Sequence, residues 1–268
     1  MPAALVTGAS SGIGKACALR LAGAGWHVLA GVRRAGDAPP GTEEVLLDVT
    51  DAEQVRAAAA RSHELHGLVN NAGVAIAGAL EFLPLDELRR QLDVNLVGQV
   101  AVTQAFLPHL RRTGGRIIFV GSIAGKSALP FLSAYAASKH ALEAVADSLR
   151  LEVAPWGIRV AIVEPGTIAT PIWRKGAQTA DEIAERLPPE AAELYGSATA
   201  AFRRAAAAAG NRGESAERVA EAVEHALTAS RPKARYVVGR DARRRARVER
   251  LPTRARDALL ARVLFKTT

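Results

Sequence analysis

Short runs of aliphatic residues recur along the chain, and each run ends in a glycine or a polar residue. Within the runs almost every position is apolar, a pattern typical of strands that are buried on both faces of a parallel sheet. The runs predict strands at 3–7, 27–32, 44–49, 67–73, 115–122, 158–166 and 235–239. Alanine- and leucine-rich stretches between them predict helices over 51–63, 86–112, 135–154 and 215–229. This alternation indicates an α/β fold, a doubly wound parallel sheet with helices on both of its faces.

The glycine- and proline-rich stretch 35–44 interrupts this alternation once, and we interpret it as a surface connection rather than a linker between domains. We therefore expect one domain over 1–239, large enough to form an enzyme, followed by a basic amphipathic extension over 240–268. Two short helices broken near Pro252 are predicted in the extension. Its apolar stripe would consist of Val248, Leu251, Leu259, Leu260, Val263 and Leu264.

The net charge of +8 is unevenly distributed along the chain. Residues 231–268 hold 13 Lys/Arg against 3 Asp/Glu, whereas the other residues hold 22 against 24. Because the body of the protein is almost neutral, we do not expect nucleic acid as its ligand. The basic extension favours docking on its own subunit or on a partner subunit. Contact with an anionic membrane surface is the less favoured alternative.

The lengths of the apolar runs and the cysteine and histidine positions exclude further classes of protein. No run approaches the roughly 20 apolar residues that span a bilayer, and no basic leader precedes an apolar segment, so we expect a cytoplasmic protein. The single cysteine, Cys17, excludes an internal disulfide and is predicted to lie in the core. The histidines, including His63 and His66, lack zinc-ligand spacing, and no metal site is predicted.

A glycine-rich turn, "TGASSGIG", joins the first predicted strand to the first helix. Gly8 would permit the tight turn, Gly12 would let the backbone approach a pyrophosphate, and Gly14 would let the helix pack closely on the sheet. The helix N-terminus would offer free N–H groups to the phosphates. The turn therefore predicts a dinucleotide site formed by Gly8, Ser10, Ser11, Gly12, Ile13 and Gly14.

A second motif, "YAASK", places Tyr135 and Lys139 one helical turn apart with only small residues between them. On a helix these two side chains share a face, roughly 5–6 Å apart at Cβ. A nearby ammonium favours the phenolate form and lowers the pKa of a phenol. The pair therefore predicts proton transfer to or from the oxygen of a substrate.

Together with "NNAG" at 70–73, Asn95, Ser122 and "PGTIAT" at 165–170, these motifs resemble the short-chain dehydrogenase/reductase family. The match extends from about residue 3 to residue 170. The resemblance implies a single Rossmann-type domain and a nicotinamide cofactor. It also implies a catalytic set in which Ser122 holds the substrate oxygen, Tyr135 transfers the proton, Lys139 also binds the nicotinamide ribose, and Asn95 holds a water of the proton relay.

The same resemblance suggests how the rest of the cofactor is bound. NAD-using members carry an acidic residue where this chain has Val32, followed here by Arg33 and Arg34. Because a guanidinium can hold a 2′-phosphate through charge-assisted hydrogen bonds, we predict NADP(H), with NAD(H) less expected and two solvated arginines as the alternative. Further cofactor contacts are expected from Asp48, Val49, Asn71, Ala72, Gly73, Pro165, Gly166, Ile168 and Thr170.

The region after the sixth strand, about 171–213, is implied by the resemblance to cover the substrate. Its apolar residues, together with Leu129 and Phe131, predict a lipophilic substrate, with contacts from Ser122, Tyr135, Leu129, Phe131 and Trp173. We therefore expect an NADP(H)-dependent oxidoreductase that interconverts a secondary alcohol and a ketone or aldehyde. The alternative is a non-catalytic dinucleotide-binding sensor or scaffold that uses its basic tail. A homodimer or homotetramer is expected from the family.

Overall fold

The computed structural model describes residues 1–62 and 64–264, so His63 lies outside the described residues, as do the side chains of Val263 and Leu264. Within this part of the chain, seven parallel strands form one sheet in the order β3-β2-β1-β4-β5-β6-β7. The strands are β1 Ala3–Thr7, β2 His27–Val32, β3 Glu43–Leu46, β4 Gly67–Asn70, β5 Arg116–Val120, β6 Arg159–Pro165 and β7 Arg235–Val238. The strand order reverses direction between β1 and β4. The predicted doubly wound fold is thereby confirmed.

Helices cover both faces of the sheet. They are α1 Gly12–Gly23, α2 Ala52–Arg61, α3 Leu85–Leu92, α4 Gly98–Thr113, α5 Ser133–Glu152, α6 Ile172–Ala184, α7 Pro189–Asn211, α8 Ala216–Thr228, α9 Arg240–Val248 and α10 Thr253–Leu264. Helices α6 and α7 form the region that the sequence predicts to cover the substrate. Helices α9 and α10 are the two short helices expected in the C-terminal extension.

The sheet separates two hydrophobic cores because side chains of successive strand residues point to opposite faces. In β1, Val6 contributes to the core that includes α1 and α8. Its neighbour Leu5 contributes to the core that includes α2, α4 and α5, where Phe106 and Leu142 are completely buried. Both faces of the sheet are thus covered, which explains why the strands lack polar alternate positions.

Several predicted strands end earlier than their apolar runs, most clearly the third and the fourth. The strand predicted over 67–73 stops at Asn70, because the Thr7 hydroxyl accepts hydrogen bonds from the Asn71 and Ala72 N–H groups at 2.9 and 3.0 Å. These two N–H groups are then no longer available to a sheet ladder. The strand predicted over 44–49 is shorter as well, since β3 ends at Leu46.

The helix predicted over 86–112 is interrupted in the structure. A π-helical turn, Asp93–Val97, separates α3 from α4. Wider turns of this kind disturb the regular hydrogen-bond ladder and are frequent at functional sites. The buried Asn95 lies within this turn.

The first helix of the extension docks on the body of the protein. Ala242 of α9 is completely buried, and the Asp241 carboxylate accepts a hydrogen bond from the Thr167 N–H at 2.7 Å. In α10, by contrast, Leu259 keeps 41% of its surface exposed. None of the helices in the described ranges combines the length and the apolar character that crossing a membrane requires.

Candidate active site

A cleft of about 530 Å³ opens at the carboxyl ends of the strands, where the strand order reverses. Ligands of doubly wound sheets bind at this position. The cleft brings together most of the sequence-predicted residues. Those in its wall are Gly8, Ser10, Ser11, Gly12, Ile13, Arg33, Asp48, Val49, Asn71, Ala72, Gly73, Asn95, Ser122, Tyr135, Lys139, Pro165, Gly166, Ile168, Thr170 and Trp173.

The glycine turn has the geometry that a bound pyrophosphate needs. Gly8 and Gly12 have φ angles of +65° and +56°, which favour glycine over other residues. Gly14 is buried below the turn, where a Cβ atom would come within 2.2 Å of the Gly8 carbonyl oxygen. The N-cap residue of α1, Ser11, makes no side-chain cap hydrogen bond, so its side chain leaves the first N–H groups of the helix free for a ligand. The residues present therefore fit a dinucleotide.

At the other end of the turn, the cleft runs past the carboxyl ends of β2 and β3. Val32 is buried in the wall of the cleft, and the exposed Arg33 lines it. Asp48 lies beside them, with one carboxylate oxygen accepting hydrogen bonds from the N–H and the hydroxyl of Thr50. Arg34 is exposed but is not part of the cleft wall. Of the two predicted arginines, only Arg33 faces the site.

The proton-transfer pair and the predicted serine come from two neighbouring segments. Tyr135 and Lys139 lie on the first turns of α5, and the Lys139 Nζ atom is 5.9 Å from the centre of the Tyr135 ring. Lys139 donates a hydrogen bond to the Val120 carbonyl oxygen at 2.9 Å, at the end of β5. The Ser122 hydroxyl accepts one from the Ala124 N–H at 3.1 Å and also hydrogen-bonds to Tyr135.

The electrostatics of the pair differ from the expectation in one respect. Burial raises the pKa of the Tyr135 phenol, and the hydrogen bond from Ser122 and the positive charge of Arg245 only partly oppose this rise. The protein side chains alone therefore raise the pKa of Tyr135, and its lowering by Lys139 together with a bound oxidised nicotinamide stays a prediction. Burial also lowers the pKa of Lys139 to about 8, against the opposing effect of the Glu143 carboxylate. At neutral pH Lys139 remains mostly protonated.

Asn95 holds the loop that follows β4. Its amide group accepts a hydrogen bond from the Val74 N–H at 2.9 Å and donates to the Val74 carbonyl oxygen at 3.0 Å. It also donates to the Ser138 hydroxyl at 3.2 Å, which links the π-helical turn to α5. The side chain of Asn95 is thus already engaged, and its part in a water relay stays a prediction.

On the substrate side, Trp173 lines the cleft while Leu129 and Phe131 lie outside its wall, among the described residues. Trp173 is fixed by a hydrogen bond of 2.8 Å from its indole N–H to the Ile168 carbonyl oxygen. Phe131 instead packs on Phe202 of α7, with ring centres 5.7 Å apart. It adopts a φ of +65°, a conformation that is strained for a bulky residue. Phe131 therefore anchors the covering region rather than the cleft wall.

Sequence reasoning missed two parts of the site. Helix α6 packs so closely over the loop after β4 that a Cβ atom on Gly176 would lie 2.9 Å from the Ala75 carbonyl oxygen. Arg245 of α9 reaches the segment after Ser122. Nothing in the sequence around either residue resembles a motif. Only their place in the fold reveals them.

The fold and the cleft together define a nicotinamide-dependent oxidoreductase, and comparison with known proteins identifies the family. The family model described as short chain dehydrogenase matches residues 2–181, and the chain belongs to this family. It is 36% identical to an NADPH-dependent 3-dehydrocapnine reductase of Ornithobacterium rhinotracheale, over 99% of this chain and 98% of that protein. It is also 38% identical to retinol dehydrogenase 5 of Mus musculus, over 97% and 87% of the two chains.

Solved structures agree with this assignment. A short chain dehydrogenase from Burkholderia cenocepacia in complex with NADP superposes with a TM-score of 0.77 at 29% identity, covering 97% of each chain. The expected family, the Rossmann-type fold and the oxidoreductase activity are thereby confirmed. A cleft that fits a dinucleotide, in a member of this family, is a nicotinamide-cofactor site.

Proposed function

We propose that the protein is an NADP(H)-dependent oxidoreductase that interconverts a secondary alcohol and a ketone, or an aldehyde, on a lipophilic substrate of small to medium size. One observation carries the proposal. Ser122, Tyr135, Lys139 and Asn95 come from three separate segments of the chain, yet all four line the cleft that continues to the glycine turn and Arg33.

Each of these residues has a distinct task in the proposed reaction. The cofactor, when bound, supplies or accepts the hydride. Tyr135 donates a proton to the carbonyl oxygen in reduction, or accepts one from the hydroxyl group in oxidation. The Ser122 oxygen accepts the Ala124 N–H, and its O–H, directed at Tyr135 in the protein alone, would turn to hold the substrate oxygen beside that phenol. Lys139 supplies a fixed positive charge one turn from the phenol.

The preference for NADP(H) rests on Arg33. It is an exposed cation in the cleft wall, next to Val32, where a carboxylate would repel a 2′-phosphate. The NADP complex of the structural relative from Burkholderia cenocepacia is consistent with this preference. We expect Arg33→Ala to lower kcat/KM for NADPH at least tenfold and to leave kcat/KM for NADH almost unchanged. Arg34→Ala is the matched control, and a wild-type preference for NADH would contradict the proposal.

The role of Tyr135 is tested by a pair of tyrosine variants. Tyr135→Phe removes the phenolic oxygen inside the cleft, and we expect turnover to fall by at least a thousandfold with NADPH binding retained. Tyr236→Phe makes the same chemical change on β7, where the hydroxyl only accepts a hydrogen bond from the Lys233 N–H and contacts His225. This control should keep wild-type turnover. Retained turnover in Tyr135→Phe would refute the catalytic assignment.

The lipophilic substrate is proposed from the walls of the cleft beyond Tyr135. The apolar side chains Ile76, Val94, Ile172 and Trp173 line the cleft there, beside the polar Arg90, Asp93, Lys175 and Thr179. The similarity to a retinol dehydrogenase also supports an apolar alcohol. The direct test measures NADPH oxidation with a panel of alicyclic, aromatic and long-chain ketones and aldehydes, and with sugars and hydroxy acids as polar controls. Higher kcat/KM for the polar group would contradict the proposed substrate class.

We also propose that α4 and α5 pair across a two-fold axis in a homo-oligomer. Leu151, near the end of α5, is 75% exposed, and Trp156 just beyond it is 46% exposed under the guanidinium of Arg111. Exposed side chains of this size could be covered by a second copy of the chain. Light scattering after size-exclusion chromatography should give a mass of two or four chains. Leu151→Glu should lower that mass, and a monomeric wild type would contradict the proposal.

A further inference from the structure

The basic extension places a charged side chain against the segment that follows Ser122. Arg245 of α9 donates hydrogen bonds to the Ser127 hydroxyl at 3.3 Å and to the Ser127 carbonyl oxygen at 2.7 Å. Ser127 is almost completely buried, and its N–H donates to the Ile123 carbonyl oxygen at 3.0 Å. The guanidinium is therefore fixed on Ser127, in the short segment that begins with Ser122, whose hydroxyl hydrogen-bonds to Tyr135.

The docking of α9 explains why Arg245 is held in this position. Asp241, one turn earlier on the helix, accepts the Thr167 N–H, and Ala242 beside it is completely buried. Two contacts thus bind the start of α9 to the end of β6, and Arg245 binds it to the segment after β5. The helix spans the two strand ends that border the substrate side of the cleft.

The charge of Arg245 is not neutralised by an ion pair. Its hydrogen-bond acceptors are the two neutral oxygens of Ser127, and within the described part of the chain no carboxylate oxygen lies within 4 Å of it. The Asp241 and Glu249 carboxylates on α9 attract Arg245 from a distance, and each also has a closer partner. Asp241 binds the Thr167 N–H, and Glu249 forms a salt bridge of 3.0 Å with Arg256. Arg245 is half-buried and forms no ion pair, so water screens its charge poorly. Its charge can therefore influence the ionisation of groups several ångströms away.

We propose that Arg245 is a positioning residue for the reaction, whose fixed positive charge beside Tyr135 favours the phenolate during proton transfer. This inference rests on the proposed role of Tyr135. The two charged groups that act on the phenol would then be Lys139 of α5 and Arg245 of α9. In agreement, the charge of Arg245 lowers the pKa of Tyr135 against the effect of burial, and Tyr135 acts reciprocally on Arg245.

The test follows the ionisation of Tyr135 in two independent ways. The first is kcat/KM for alcohol oxidation from pH 6 to pH 10.5, with the alcohol that corresponds to the most active ketone of the panel. The second is the absorbance of the phenolate at 295 nm, taken as the difference between each protein and its Tyr135→Phe form. The absorbance titration needs no turnover, so it stands even if the catalytic role of Tyr135 fails.

Arg245→Gln should move the midpoint of both titrations to higher pH by roughly half a unit to one unit, because an attractive charge is lost. Below both midpoints, oxidation by Arg245→Gln should then be about three- to tenfold slower than by wild type, and the two rates should converge only at pH values above the midpoints. Arg245→Lys, which keeps the charge, should restore most of the midpoint. Arg244→Gln removes the same charge from an exposed position on α9 and should leave the midpoint unchanged.

A purely structural role would lower the activity of Arg245→Gln at every pH without moving either midpoint, and that result would overturn the proposal. An equal shift in Arg244→Gln would overturn it as well, because it would indicate a general effect of net charge. If Arg245→Gln does not fold, Arg245→Met provides the test. That variant also removes the positive charge, so its midpoints should rise as well, and unchanged midpoints would refute the inference.

Discussion

Glu143 lies in a buried charge cluster behind Lys139, and its titration should control the stability of the protein near neutral pH. Glu164 is completely buried and forms a salt bridge of 2.6 Å with Lys126. Arg235 lies between the two carboxylates, 3.1 Å from Glu143 and 3.4 Å from Glu164. One oxygen of each carboxylate is buried and has no hydrogen-bond partner among the described residues. Burial, and then repulsion from Glu164, raises the pKa of Glu143 to about 7.

The sign and size of the effect follow from this raised pKa. Between pH 4.5 and pH 7 an unfolded chain has lost the proton of Glu143 while the folded protein retains it, so the free energy of unfolding falls as pH rises. Each pH unit in this window corresponds to about 1.4 kcal/mol. Across this pH window the free energy of unfolding should therefore fall by about 3 kcal/mol at most. In Glu143→Gln the amide cannot ionise, and this part of the pH dependence should disappear.

Urea unfolding at pH 5, 6, 7 and 8 measures the difference between the two proteins. Relative to wild type, Glu143→Gln should gain up to ~3 kcal/mol of unfolding free energy from pH 5 to pH 8. Glu152→Gln is the matched control, since Glu152 is an exposed residue on the same helix that accepts a hydrogen bond from Ser148. Parallel stability curves for wild type and Glu143→Gln would refute the reasoning.

Three further results are expected from single positions. Gly14→Ala should weaken NADPH binding about tenfold or more in a fluorescence titration, because the new Cβ would lie 2.2 Å from the Gly8 oxygen. Gly23→Ala is the control, since a Cβ there would have nothing within 4 Å. Equal NADPH binding by the two variants would contradict this prediction. Cys17 should not react with a disulfide reagent at pH 8 until guanidinium is added, because its thiol is buried and burial raises its pKa to about 12. Rapid labelling of the native protein would disprove this burial. Phe106→Ala should lower the unfolding free energy by about 3–5 kcal/mol in urea, and a loss below ~1 kcal/mol would mean that the core closes around the cavity.

Sequence patterns predicted the sheet well because they depend on local rules. A strand buried on both faces must be apolar at consecutive positions, and the runs around Leu5, Val69 and Ile118 meet this rule. The glycine turn was equally readable, since the positive φ angles at Gly8 and Gly12 restrict the residue type there. Such requirements are visible in the sequence of a single segment.

What the patterns missed depends on contacts between distant segments. The end of β4 is set by the Thr7 hydroxyl, more than sixty residues away in the chain. The packing of Phe131 was not visible for the same reason, because its neighbour Phe202 lies on α7, and its contact with substrate stays a prediction. A basic helix looks the same in sequence whether it is solvated or docked. The burial of Ala242 and the hydrogen bonds of Asp241 and Arg245 distinguish the two cases.

The contact between Asp241 and the end of β6 shows how far a shortened form of this chain must extend to keep its function. One oxygen of that carboxylate would lie 2.1 Å from a Cβ atom on Gly166, so the two segments leave no space between them. A chain shortened at residue 239 would retain every family motif but would lose the acceptor of the Thr167 N–H, at the turn that borders the cofactor cleft. Engineered truncations or fusions should therefore be joined beyond Glu249, after the end of α9.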